Sequence, residues 1–200
     1  MNADSSSPAH GKLVLLIGPS GVGKSVILQE LKKRHPEFHF PRSATTRQQR
    51  EGEGEETYHF LTDTEFDKAI EDDKFLEYQT VHATARYGTL LREILPPIDA
   101  GSVVIRELEV QGFETLRHDP RFSGPAARYP LQSIFILPES KQQLINHIHK
   151  RAPMSDAELK HRMESMEKEL AFAPLCDGTV VSREGGIEQV VEEVERVIGV

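Results

Sequence analysis

The sequence predicts an α/β fold in which a parallel β-sheet is flanked by helices on both faces. The apolar run 13–17 precedes a glycine-rich loop and the amphipathic run 26–31, which is the order strand, loop, helix. Two further β-branched and aromatic runs, 102–105 and 133–137, alternate with segments of helical pattern, and 179–181 is a weaker third. The last predicted helix carries one apolar stripe, formed by Ile187, Val190, Val191, Val194 and Ile198.

The loop after the first predicted strand has a spacing with chemical meaning. It reads G-x-x-x-x-G-K-[ST] and consists of Gly18, Pro19, Ser20, Gly21, Val22, Gly23, Lys24 and Ser25. Glycines let backbone N–H groups approach phosphate oxygens, and the start of the following helix adds partial positive charge. Lys24 can reach the β- and γ-phosphates, and the Ser25 hydroxyl can ligate Mg²⁺. The pattern therefore predicts a P-loop NTPase core that binds a nucleoside triphosphate.

Composition excludes several other classes. The chain has 200 residues and a formal net charge of −8, which argues against a general nucleic-acid surface. Its single cysteine, Cys176, rules out an internal disulfide and fits a reducing compartment. No apolar run approaches the length of a membrane span, and the start of the chain lacks the order of a signal peptide. We therefore expect a cytoplasmic protein with neither membrane nor nucleic-acid partners.

A segment of different composition begins near residue 41. Residues 41–61 are polar, Thr62 and Glu65 form a capping box that predicts a short helix, and Pro96-Pro97 marks the return to the core. The segment holds side chains suited to a second phosphate and to a hydrogen-bonding ring, namely Arg47, Arg50, Tyr58, Tyr87 and Glu77. On composition alone, a pocket for a phosphorylated acceptor and a solvated basic loop beside a surface glutamate both remain open.

The order and spacing of motifs in this segment resemble those of guanylate kinases. They read S-x-T-T-R at 43–47 with Arg50, Y-x-F at 58–60, E-Y at 77–78 and Y-G-T at 87–89, and V-Q-G follows at 110–112. The resemblance extends from about Lys12 to the C-terminus. It implies Mg²⁺- and ATP-dependent phosphorylation of GMP, and of dGMP, to the diphosphate.

The resemblance also implies a division of the chain. It places a GMP-binding subdomain, inserted in the core, at residues 41–96 and a short helical lid at residues 139–165. Residues 1–10 are rich in Ser, Pro and Asp, and this composition predicts a flexible tail. The P-loop core then consists of 11–40, 97–138 and 166–200.

Roles for individual side chains follow from the resemblance, position by position. The residues expected to hold the GMP phosphate are Arg47, Arg50, Tyr58 and Tyr87. Those expected to read the guanine are Ser43, Glu77 and Thr89, because a carboxylate accepts from the adjacent N1–H and N2–H₂ groups of guanine and repels the N1 acceptor of adenine. The side chains expected at the transferring phosphoryl group, in catalytic roles, are Lys24, Arg47, Arg151 and Arg162.

The chain departs from the family's usual residues at several positions. Glu107 and Glu109 stand where the family has aspartates; Glu107 is expected to face the Mg²⁺ water shell and Glu109 the guanine edge. His147 replaces a lid arginine, Ser182 an asparagine at the adenine end, and Ala152-Pro153 a lid glycine. Two alternatives stay open: the same fold acting on another phosphorylated acceptor, and a non-catalytic binding module. Whether the protein is a monomer or a homodimer is also open.

Overall fold

Two four-stranded β-sheets organise the chain. The computed structural model describes residues 11–51, 53–54, 56, 58–81, 85–151 and 156–200, without the side chains of 81, 148–151 and 156–161. The predicted tail therefore lies outside the described residues. The strands are β1 (Lys12–Ile17), β2 (Ser43–Thr45), β3 (Tyr58–Phe60), β4 (Phe75–Val81), β5 (Ala85–Leu90), β6 (Val103–Leu108), β7 (Leu131–Pro138) and β8 (Gly178–Ser182). The helices are α1 (Lys24–Arg34), α2 (Asp63–Glu71), α3 (Leu95–Asp99), α4 (Val110–Leu116), α5 (Lys141–Arg151), α6 (Asp156–Leu170) and α7 (Ile187–Ile198).

The first sheet is parallel, with the order β6-β1-β7-β8. Its central strand β1 sends alternate side chains to two separate cores. Val14 and Leu16 pack with apolar residues of α1 and α7, whereas Leu13 and Ile17 pack with those of α3 and α4. A parallel sheet buried on both faces is the architecture that the alternating pattern predicted, so that prediction is confirmed. Among the described helices, none is both long and apolar enough to cross a membrane.

The second sheet is mixed and is built from the segment between α1 and α3. Its order is β3-β2-β5-β4, with β2 parallel to β3 and antiparallel to β5. The predicted capping box is present: Glu65 N–H donates to the Thr62 hydroxyl at 3.2 Å, and Thr62 N–H donates to the Glu65 carboxylate at 2.8 Å. The helix it starts, α2, buries Phe66 and Ala69 against this sheet. The sequence pattern indicated the helix but not the strands.

His35 at the end of α1 gives the fold a testable pH dependence. Its Nδ1 lies 3.0 Å from a Glu37 carboxylate oxygen and its Nε2 lies 3.0 Å from one of Glu195. Burial opposes the charged ring, but the hydrogen bonds to Glu37 and Glu195 outweigh it and raise the pKa of His35 above 6.5. Only the imidazolium can donate to both carboxylates at once.

A raised histidine pKa means that the stabilisation is complete below the unfolded value and is lost as pH rises through the folded value. We therefore expect the Tm difference between the native chain and His35→Phe to narrow as the pH rises from acidic to basic across the His35 pKa. Phenylalanine preserves the stacking of the His35 ring on Phe38, whose centroids are 4.4 Å apart. A Tm difference that stays constant across this range contradicts the assignment.

Candidate active site

The glycine-rich loop 18–25 joins the carboxyl end of β1 to the start of α1. Gly18 has φ of +150°, and a Cβ there would lie 2.6 Å from the Ile136 carbonyl oxygen on β7. Gly23, with φ of +102°, stands before α1, and among the described residues no side-chain hydrogen bond caps this helix start. The loop therefore approaches the central strands closely and leaves the helix N-terminus exposed to a ligand, as anion binding requires.

Lys24 folds back over this loop. Its Nζ donates to the Gly18 carbonyl at 2.5 Å and to the Pro19 carbonyl at 3.1 Å. These contacts place the ammonium at the mouth of the loop, where bound phosphates would lie.

Ser25 lies beside a carboxylate from the neighbouring strand. Its hydroxyl donates to a Glu107 carboxylate oxygen at 3.0 Å. Glu107 is near the carboxyl end of β6, in register with Leu16 of β1, and Glu109 precedes α4 with an exposed side chain. A hydroxyl and a carboxylate are hard oxygen ligands. They suit Mg²⁺, which proteins usually bind through one or two such groups together with phosphates and water.

Strand pairing in the second sheet brings the three predicted guanine readers into one row. Thr89 of β5 is paired with Ser43 of β2 on one side and with Glu77 of β4 on the other. Directly paired residues point to the same face of a sheet. The Thr89 hydroxyl, which is buried, donates to a Glu77 carboxylate oxygen at 2.6 Å. The row thus presents hydroxyls and one oriented carboxylate on a single face.

The residues predicted to hold a second phosphate also lie together. The Arg47 guanidinium stacks over the Tyr58 ring at 5.3 Å, and the Tyr58 and Tyr87 rings meet edge-on at 6.1 Å. Arg47 forms a bidentate pair with Glu53, at 3.0 and 2.7 Å, and the Arg50 backbone N–H donates to the same carboxylate at 3.1 Å. The hydrogen bond from Arg47 is the main cause that lowers the pKa of Glu53.

A cleft of about 210 Å³ separates the glycine-rich loop from the second sheet. The loop side contributes Ser20, Lys24 and Ser25, and the second sheet contributes Glu77 and Tyr87. The ends of β6 and its following turn add Arg106, Glu107 and Glu109. Of the residues predicted to hold the second phosphate, Tyr87 lines this cleft, and Tyr58 lines a second pocket together with Ser43, Arg106 and Glu107.

The structure describes only part of the predicted lid, residues 139–165. The side chain of Arg151, and Ala152 and Pro153, lie outside the described residues. Arg162 on α6 is exposed and borders a smaller pocket beside Pro19 and Ser20. The His147 ring nitrogen Nδ1 lies 3.0 Å from the Gly21 carbonyl oxygen, so α5 contacts the glycine-rich loop through the residue that replaces the usual arginine.

Sequence reasoning missed three polar residues at this site: Glu53, Arg106 and Glu169. Glu169 of α6 accepts from the Ser165 hydroxyl at 3.1 Å, and burial is the main cause that raises its pKa, with nearby Lys24 acting in the opposite direction. A bidentate partner for Arg47 was detectable in principle from the acidic loop 51–56. Neither Arg106 nor Glu169 has a local signal, because only the tertiary fold brings them to the cleft.

Cys176 can be assigned a packing role. It borders the apolar core under α4, and burial raises the pKa of its thiol to about 11. A thiol with this pKa is almost entirely protonated at neutral pH and is a poor nucleophile. It takes no part in the site described above.

Comparison with known proteins identifies the family. The sequence model of the guanylate kinase family matches residues 10–199. A guanylate kinase of Nostoc sp. is 36% identical over 177 residues, which cover 88% of this chain and 84% of that protein. One of Streptomyces coelicolor is 35% identical over 187 residues, covering 93% and 89%. The crystal structure of guanylate kinase from Anaplasma phagocytophilum, 21% identical, shares the fold with a TM-score of 0.67 over 95% of this chain and 85% of that one. The chain therefore belongs to the guanylate kinase family, whose members are nucleoside monophosphate kinases.

Proposed function

We propose that this protein transfers the γ-phosphoryl group of ATP to GMP, and to dGMP, with Mg²⁺, giving ADP and the guanosine diphosphate. The observation that carries the proposal is the single cleft bordered by the glycine-rich loop on one side and by Glu77 and Tyr87 on the other. This geometry supports direct transfer between two bound nucleotides. We also propose that the protein is cytoplasmic and that it acts as a monomer or a homodimer.

The loop 18–25 binds the triphosphate. Its backbone N–H groups and the start of α1 hold the phosphate oxygens, and Lys24 exchanges its carbonyl contacts for the β- and γ-phosphates. Ser25 would hold Mg²⁺ through its hydroxyl, and Glu107, whose carboxylate lies 3.0 Å from that hydroxyl, would hold water bound to the ion. The metal ion neutralises charge on the phosphate oxygens when it is bound.

The row Ser43, Thr89 and Glu77 binds the guanine. Glu77 accepts from N1–H and N2–H₂, while the Thr89 hydroxyl holds this carboxylate in place. Ser43 reaches the 6-oxo group, which adjoins N1 on the same edge of the base. Glu109, which lines the cleft, faces the guanine edge in this proposal.

The acceptor phosphate lies against Arg47, Arg50, Tyr58 and Tyr87. Glu53 already engages both terminal nitrogens of Arg47, so the phosphate must share or replace this carboxylate. Exchange of one anion for another keeps the guanidinium paired before and after GMP binds.

Phosphoryl transfer needs placement and cationic stabilisation rather than covalent catalysis by a side chain. Lys24 and Arg47 act from the two sides of the cleft, and Arg151 and Arg162 of the predicted lid cover the transferring group. Closure of the lid excludes water and suppresses hydrolysis of ATP. Membership in the guanylate kinase family argues against the two alternatives, a different phosphorylated acceptor and a non-catalytic binding role.

A coupled assay of ADP release tests the proposal. The native chain is given ATP and Mg²⁺ with GMP, dGMP, AMP, UMP or ribose 5-phosphate in turn. We expect turnover with GMP and dGMP and little with the others. Turnover with another acceptor but not with GMP would support a kinase of the same fold that acts on a different phosphorylated acceptor. If none of the acceptors gives ADP release, the non-catalytic binding module is supported.

A further inference from the structure

Arg106 connects the two sheets at the cleft. It lies on β6 of the parallel sheet, and its Nη2 donates to the Ser43 hydroxyl oxygen of the second sheet at 2.7 Å. Its Nη1 lies 3.5 Å from the Pro41 carbonyl oxygen. The Nε atom is buried and has no hydrogen-bond partner among the described residues. The guanidinium is therefore held at Ser43 by the fold, beside the space assigned to the guanine.

This contact determines what the Ser43 hydroxyl can do. A guanidinium has donors and no acceptor, so the Ser43 oxygen must accept from Arg106 and direct its own proton elsewhere. The neighbouring Thr89 hydroxyl gives its proton to Glu77. Ser43 lines a second pocket with Arg106 and Tyr58, and Arg106 also lines the cleft. The Ser43 proton is therefore the hydroxyl proton of the row that is left for a ligand bound beside Arg106.

We propose that Arg106 is a positioning residue for base specificity, which fixes Ser43 as the hydrogen-bond donor to the 6-oxo group of the acceptor base. The inference rests on the proposed function. An oxo group at position 6 accepts this proton, whereas the amino group of adenine at the same position offers a donor and meets a second donor. Arg106 therefore reads the 6-position through Ser43, while Glu77 reads positions 1 and 2.

Substrate analogues separate this role from a structural tie between the sheets. GMP and IMP both carry the 6-oxo group and differ at position 2, whereas 6-thio-GMP keeps positions 1 and 2 and offers a weakly accepting sulfur at position 6. Arg106→Met preserves chain length without donors, and Arg106→Lys keeps the charge without the planar fork. The melting temperature of each variant is measured alongside kcat and KM.

For Arg106→Met we expect kcat/KM to fall about tenfold for both GMP and IMP, mainly through KM, because one charge-assisted hydrogen-bond arrangement is lost. The loss with 6-thio-GMP is smaller, so the preference for GMP over 6-thio-GMP narrows while the preference for GMP over IMP is unchanged. For Arg106→Lys, we expect a GMP-to-6-thio-GMP ratio of kcat/KM between that of the native chain and that of Arg106→Met. When Arg106→Met is added to Ser43→Ala, the preference for GMP over 6-thio-GMP does not narrow further.

The inference is overturned if Arg106→Met lowers kcat/KM equally for all three nucleotides. It is also overturned if Arg106→Met lowers kcat/KM as strongly in the Ser43→Ala variant as in the native chain. Either result leaves Arg106 as a structural tie between the sheets. If Arg106→Met does not fold, the same ratios in Arg106→Lys decide the question. Failure of the proposed function looks different, because the native chain itself then transfers no phosphoryl group to GMP.

Discussion

Replacement of Lys24 by alanine is expected to lower kcat for phosphoryl transfer by about a thousandfold or more, because a cation at the transferring group is lost. GMP binding is expected to stay within about twofold of the native value, since Lys24 lies against the Gly18 and Pro19 carbonyls on the donor side of the cleft. Steady-state kinetics give the first quantity, and calorimetric titration of the variant with GMP gives the second.

Lys33→Ala is the matched control for this prediction. Lys33 lies on the same helix, its side chain is 70% exposed, and it forms a surface ion pair with Glu30. It should leave both kcat and the GMP dissociation constant unchanged. A loss of GMP affinity in Lys24→Ala as large as the loss of kcat would contradict the division into a donor side and an acceptor side.

Replacement of Glu77 by glutamine is expected to reduce the GMP-to-AMP ratio of kcat/KM by about a hundredfold. The amide keeps the shape of the carboxylate and can still accept from the Thr89 hydroxyl. It adds an N–H donor, however, which opposes the N1–H of guanine and matches the N1 acceptor of adenine. The ratio, measured with both nucleotides in one coupled assay, isolates base reading from changes in phosphate binding.

Glu71→Gln provides the comparison, because Glu71 is an exposed carboxylate at the end of α2 in the same subdomain. Its GMP-to-AMP ratio should equal that of the native chain. An unchanged ratio in Glu77→Gln would remove Glu77 from base recognition.

The parallel core was predictable because its signals are local. The buried run of β1, the glycine spacing and Lys24 follow one another in the sequence, so strand, loop and helix are defined within one short segment. The capping box at Thr62 and the weak strand near Val180 were likewise found and are present in the fold. Each depends on neighbours in the chain rather than on distant partners.

The second sheet could not be predicted in the same way. The β2 and β3 strands have only three residues each, and Ser43 is paired with Thr89, far along the chain. Such short polar strands gain stability from their partners and carry little periodicity of their own. The resemblance grouped Ser43, Glu77 and Thr89 by role, and the strand register adds the physical reason that they share one face.

Arg106 and Glu53 illustrate a different gap. An arginine in a strand pattern indicates an exposed position, yet here the strand order places Arg106 against Ser43 from another sheet. Glu53 lies in an acidic loop that has the composition of a solvated segment, and only its geometry reveals the pair with Arg47. The role of Arg151 stays a prediction.

In the proposed reaction, the γ-phosphoryl group passes directly from ATP to GMP across one cleft. Rapid-quench mixing of the native chain with γ-³²P-labelled ATP, Mg²⁺ and GMP follows that group in a single turnover. We expect the label to appear in GDP at the same rate as ADP and in equal amount, with almost none as free phosphate. Release of the label as free phosphate, or its transfer to an acceptor other than the guanosine nucleotide, would contradict it.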